Sequence, residues 1–186
     1  MIVMKSLLTA VLLLILLMLA AWQLGQAGLL AAKAWAAPIL IERAWIKGEE
    51  TGADFLPWPW ADSAPTVKIV APRLDVTRYV LSGDNMRNLA FGPVLQHKEN
   101  GSIIFGHRDT HFRFLEKLKI KDIIYVHGRD QGRKKWTVVH QGVLSADELY
   151  ISNANASETL MLITCYPFDG INPNTDLRYV VWLSKA

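Results

Sequence analysis

One thiol, Cys165, and five histidines are the groups in this sequence best suited to covalent chemistry at neutral pH. A cysteine nucleophile must lose its proton, and its leaving group must gain one; a histidine can serve both needs. Cys165 closes the apolar run "TLMLITC" and is followed at once by "YPF", which places it at a strand end. Reactive groups are commonly presented there, beside loops held by a rigid scaffold. A buried structural cysteine fits the same run, so its companions decide. His107, in "IIFGHRDTH", also stands at a strand end, after a glycine that lets the backbone approach a neighbour closely. His97 lies in the loop-like "QHKEN", and His127 and His140 lie inside strand-like runs; these three read as surface or packing residues.

The third group is Arg178, which opens the last strand-like run, "LRYVVWLS", after a loop containing "NPNT". If the strands of Cys165 and Arg178 are neighbours, the guanidinium lies beside the thiol. Its fixed fork of donors can then hold a developing oxyanion. Alone it would read as a surface ion pair with Asp176. Together, Cys165, His107 and Arg178 make a coherent acyl-transfer site. His107 and His111, four residues apart, also raise a zinc site with Asp109 or Cys165 as a further ligand. The glutamate of the zinc-peptidase motif is absent, and the segment reads as strand, turn, then helix. The expectation is therefore no metal and no cofactor.

These residues need a scaffold that sets strand ends side by side. From Thr66 onward, "TVKIVAP", "VTRYVLSG", "GSIIFG", "DIIYVHG", "KWTVVHQGVLS", "TLMLITC" and "LRYVVWLS" are rich in β-branched and aromatic residues, with Gly, Asn, Asp and Pro between them. "THFRFLEKL" departs from this, with Phe112, Leu115 and Leu118 at helical spacing, and "ADEL" suggests a second short helix. Seven or eight short strands point to an all-β domain, a closed or nearly closed barrel or a sandwich.

Ahead of it, Ser6 to Ala32 contains no charged residue and is long enough to cross a bilayer as a helix. Lys5 just before the run places the N-terminus in the cytoplasm. The run is longer than a signal core and continues helix-like to about Thr51, so it reads as an uncleaved anchor. The competing reading is a signal peptide cut near "AWAAP". Both readings export the C-terminal part. "FLPWPWADSAP" then breaks any helix. A net charge of +3 without a dense basic cluster argues against nucleic acid, and the basic "GRDQGRKKW" reads as a hairpin turn. One cysteine excludes an intramolecular disulfide.

With these residues assembled, the sequence resembles a sortase, and within that family the proteobacterial group called class GN. "MLITC" corresponds to the family's TLxTC signature, "GHRDTHFRFLEKL" to its glycine-histidine signature, and "LRYVVWL" to the strand of its essential arginine. "WPWADSAP" and "LAFGPV" resemble the group's pattern, so the resemblance runs from Trp58 to the C-terminus.

The resemblance implies a closed eight-stranded sortase-type β-barrel with one or two short helices, preceded by an N-terminal transmembrane helix. The corresponding division is 1–32 anchor, 33–64 juxtamembrane helix and Pro/Trp linker, and 65–186 catalytic domain. It further implies a membrane-anchored cysteine transpeptidase that cleaves an LPxTG-like C-terminal sorting signal through a thioacyl intermediate. The protein is then passed to an amine acceptor. Carried over, Cys165 is the nucleophile, His107 the general acid/base, Arg178 the oxyanion donor, and Thr164 lines the substrate groove. The enzyme would be a single-pass protein of the bacterial inner membrane with its catalytic domain in the periplasm.

Two departures stand out. Met161 replaces the first threonine of TLxTC, which implies a packing change, and "FGPVL" lacks the glycine-histidine pair of the group. The alternatives are another exported Cys-His cell-wall peptidase or L,D-transpeptidase, or a non-catalytic membrane-tethered β-domain. "LITCYPF" lacks the Ser/Gly-rich motif of L,D-transpeptidases, and the order His before Cys opposes a papain-like enzyme.

Overall fold

The computed structural model describes residues 2–83, 85–98, 101–129, 132–149, 159–170 and 175–185. Helix α1 spans Ile2–Thr51, and the chain divides into two compact units, Met1–Ala37 and Pro38–Ala186. In the first unit the helix is apolar on every side, with Leu14, Leu17, Trp22 and Leu24 all exposed. An 18-residue window reaches a mean hydropathy of 2.0. Leucines facing outward all round a helix suit an apolar surrounding, and by length and composition this helix can cross a membrane.

In the second unit eight strands close into a barrel. They are β1 (Pro65–Ala71), β2 (Val76–Leu81), β3 (Val94–Lys98), β4 (Gly101–Phe105), β5 (Ile123–Gly128), β6 (Gly132–Ser145), β7 (Thr159–Cys165) and β8 (Leu177–Lys185). Their order around the barrel is β1-β2-β3-β4-β7-β8-β6-β5. The β2–β3 and β4–β7 pairs are parallel; the others are antiparallel. Ile69, Val80, Ile104, Ile124, Val138, Leu162 and Val181, one from each of seven strands, meet in a single cluster. Only the interior of the barrel can bring them together. A second, smaller cluster of Ile103, Met161, Ile163 and Val180 covers the outer face of β4, β7 and β8.

One element differs from the sequence reading, and the two expected short helices take the tighter 3-10 form. "QHKEN" reads as a loop, yet Gln96, His97 and Lys98 belong to β3, paired residue for residue with β4. Polar composition is overridden there by cross-strand pairing. The helical face of "THFRFLEKL" does bury Phe112, Leu115 and Leu118, but as a short 3-10 turn over Arg113–Lys117. The turn at "ADEL" is likewise a 3-10 helix, Ala146–Glu148.

Residues Pro38–Thr51 of α1 belong with the barrel. Trp45 is fully buried, with its ring 6.1 Å from Tyr79 and 5.6 Å from His127. Glu42 accepts a 2.8 Å hydrogen bond from the Tyr79 hydroxyl, and Glu49 lies 3.3 Å from His127 Nδ1. The Arg129 guanidinium sits 5.6 Å from the Trp45 ring and donates to the carbonyls of Ala53 (2.8 Å) and Pro65 (2.6 Å). Trp45→Ala is expected to cost about 3 to 5 kcal/mol of stability. Chemical denaturation followed by the fluorescence of the other tryptophans measures this, and a loss under about 1 kcal/mol would show the helix to be merely leaning on the barrel.

Candidate active site

The parallel pairing of β4 with β7 and the antiparallel pairing of β7 with β8 bring three strand ends to one end of the barrel. Cys165 is the last residue of β7, and its register partner on β8 is Arg178. Residues directly opposite across a ladder share a face, with side chains a few ångströms apart. Along β7, Leu160 and Leu162 belong to the interior cluster and Met161 and Ile163 to the outer one. By this alternation Cys165 and Arg178 stand on the outer face, at the end of the smaller apolar cluster. Both are partly exposed, and Cys165 is a free thiol. Met161 is 4% exposed and packs against Ile103, Ile163 and Val180, the packing role expected for the missing threonine.

His107 leaves the end of β4 beside this pair. Gly106 N–H donates to Ile163 O at 3.1 Å, and Gly106 O accepts from Thr164 Oγ1 at 2.7 Å. Both backbone groups of the residue before His107 are therefore fixed on β7. The close approach needs a glycine, since a Cβ there would fall 2.6 Å from Cγ of Phe112. His107 O accepts from Phe112 N–H at 2.9 Å, while its side chain is exposed.

Thr164 precedes Cys165 at the end of β7. It is 2% exposed, and the alternation of β7 turns its side chain to the face opposite Cys165. Its hydroxyl is spent on Gly106 O. Arg178 Nη1 donates to the carbonyls of Thr175 and, at 2.9 Å, Leu177, which holds the guanidinium at the start of β8. Histidines 97, 127 and 140 take local roles: His97 Nδ1 lies 3.3 Å from Ser102 Oγ, and the His140 ring packs tilted against Trp182 at 4.9 Å.

His111 is half-buried. Burial first, then the charges of Arg78 and His107, lower its pKa from 6.5 to about 4. It stays neutral while Arg78 Nε donates to its carbonyl at 2.9 Å. A residue the sequence reading missed is Arg108. It is 5% exposed and donates to Pro167 O at 2.7 Å and to Gly170 O. A charge normally signals surface; its place between buried Gly106 and buried Phe112 was the only available hint. A cavity of about 780 Å³ opens beside Gly101, Thr159 and Lys185, at the barrel end away from Cys165.

A family model described as Sortase domain matches residues 69–186. The chain belongs to the sortase family. Its members are cysteine transpeptidases, and this sortase is an enzyme of that class. The match removes the papain-like, L,D-transpeptidase and non-catalytic alternatives.

Among solved structures, sortase C-1 from Actinomyces oris is 25% identical with a TM-score of 0.56, the match covering 67% of this chain and 76% of the other. Sortase A from Listeria monocytogenes is 23% identical with a TM-score of 0.55, over 66% and 87% of the two chains. Sortase A from Corynebacterium diphtheriae is 17% identical with a TM-score of 0.57, over 90% and 95%. The last two show the shared fold. No curated protein matches the chain.

The depressed pKa of His111 gives a signed expectation. The unfolded chain binds its proton below about 6.5 and the folded chain only below about 4, so stability is lost as pH falls through that window. Unfolding midpoints measured from pH 7 to 4 should show a loss of about 2 to 3 kcal/mol that His111→Gln flattens. Thr164→Val should destabilise by about 1 to 3 kcal/mol, because the Gly106 carbonyl loses its buried donor; an unchanged denaturation curve would show that bond to be idle.

Proposed function

We propose that Cys165, His107 and Arg178 are the catalytic residues of this sortase. The observation that supports this most directly is the pairing of Cys165 with Arg178 across the last rung of β7–β8. The segment bearing His107 is tied to the same strand through Gly106. The Cys165 thiolate attacks the threonine carbonyl of an LPxTG-like sorting signal, forming a C–S bond and a tetrahedral oxyanion. The Arg178 guanidinium donates to that oxygen as charge develops. Collapse breaks the Thr–Gly C–N bond, His107 gives its proton to the departing amine, and a thioacyl enzyme remains. An incoming primary amine then attacks the thioester. His107 takes its proton, the amide forms and the thiolate is released.

"WPWADSAP" and "LAFGPV" support placement in the proteobacterial class GN. The functional division follows as 1–32 membrane anchor, 33–64 juxtamembrane helix and linker, and 65–186 catalytic domain. Lys5 ahead of the apolar run supports a cytoplasmic N-terminus. This sortase is therefore a single-pass protein of the inner membrane acting on the periplasmic side, on proteins with an LPxTG-like tail and an amine acceptor.

Incubating the full chain in detergent with LPxTG-like peptides and a primary amine should yield a Cys165 thioacyl adduct by mass spectrometry, absent from Cys165→Ala. Adducts formed only with peptidoglycan stem peptides would overturn the substrate assignment. Arg178→Ala should lower kcat by about 100- to 1,000-fold, the loss typical of one oxyanion donor; near-normal turnover would remove Arg178 from the mechanism.

A further inference from the structure

His107 is flanked by two tethers, and both end on the chain that carries Cys165. On its N-terminal side, Gly106 is bonded through N–H to Ile163 O and through its carbonyl to Thr164 Oγ1. On its C-terminal side, Arg108 reaches past the end of β7. Its Nη1 donates to Pro167 O at 2.7 Å and its Nη2 to Gly170 O. These two carbonyls belong to one turn, closed by Gly170 N–H donating to Pro167 O at 3.2 Å. That turn begins two residues after Cys165.

Burying a guanidinium is costly, since the charge must leave water and be satisfied by geometry alone. The Arg108 side chain is only 6% exposed, and the nearby carboxylate, that of Asp109, lies 3.4 Å from Nε and is itself largely exposed. The planar fork suits two carbonyls at a fixed spacing, which an ammonium cannot match. Arg113 bonds the same loop, to Phe168 O at 3.3 Å and Asp169 at 3.2 Å. However, its side chain is 49% exposed and it is not next to His107. Beyond the turn, Thr175 Oγ1 donates to Tyr166 O at 2.7 Å, and Arg178 is held on Thr175 O. The loop that Arg108 fixes at one end thus carries Arg178 at the other.

We propose that Arg108 is a positioning residue: its fork locks the turn after Cys165 to the backbone of His107 and so sets the spacing of thiol and imidazole. This rests on the catalytic roles proposed for Cys165 and His107. Arg108 itself touches no reacting atom; it acts through its neighbour on one side and the turn on the other. A displacement near 1 Å between reacting groups can cost about 100-fold in rate without changing substrate contacts.

The test uses the full chain in detergent and two readouts: kcat and KM with an LPxTG-like peptide, and the pH dependence of Cys165 alkylation by iodoacetamide. Arg108→Ala should lower kcat about 30- to 100-fold with KM within about threefold. Its alkylation profile should move to that of His107→Ala, because the imidazole no longer stands at its set place beside the thiol. Arg108→Lys should restore part of the rate, and Arg113→Ala should match the wild type in both readouts.

Gly170→Ala keeps the buried charge but places a Cβ 2.8 Å from Arg108 Nη1. It should reproduce the Arg108→Ala effects in milder form, and it decides the matter if Arg108→Ala does not fold. Wild-type kcat in either variant, or a fallen kcat with a wild-type alkylation profile, overturns the proposal. If His107→Ala itself leaves the alkylation profile unchanged, the assignment of His107 fails instead, and with it the reason for a tether.

Discussion

Everything at the active end of the barrel depends on how closely β4 can lie against β7 beyond the last residue of the β4 strand. Gly106 extends the ladder by one rung, with its N–H on Ile163 O and its carbonyl on Thr164 Oγ1. Phe112 closes over the space where a side chain would be. That single contact converts a sheet register into the placement of His107. Register is the most strongly specified property of a sheet with buried faces, so the placement of His107 beside β7 inherits the rigidity of the core.

The two faces of β7 divide the work. Leu160, Leu162 and Thr164 turn inward, where the first two join the barrel core and the third holds Gly106. Met161, Ile163 and Cys165 turn outward, toward Ile103 and Val180. Strength and reactivity thus alternate along one strand. The aromatic contacts just past it, with Tyr166 stacked on Tyr179 at 6.3 Å and Phe168 edge-on to Tyr179 at 5.1 Å, carry core packing into the loop. Cys165 is therefore presented from an ordered background on both sides.

The same strand shows why part of the site was legible in the sequence and part was not. Strands with β-branched and aromatic composition could be read directly, as could the strand-end positions of Cys165, His107 and Arg178. The inward turn of Thr164 was not legible because β7 is buried on both faces, from Leu160 through Ile163. A run apolar at every position carries no alternation to reveal which neighbour faces the core. β3 was missed because its outer residues are polar and its pairing with β4 is a tertiary fact. Arg108 stayed hidden because sequence gives no sign of a buried cation that donates to backbone carbonyls some sixty residues on.

The stretch between α1 and β1 takes on a different character once its ends are considered. A single guanidinium, that of Arg129, bonds Ala53 O at one end and Pro65 O at the other. Trp58 meets Phe91 edge-on at 5.1 Å in between. The proline-rich "FLPWPW" segment is therefore a stapled loop on the barrel wall and not a leash. Closure entropy grows only slowly with loop length, about 0.6 kcal/mol for each doubling. With both ends clipped by one residue, the segment is free to gain or lose residues at little cost to the barrel.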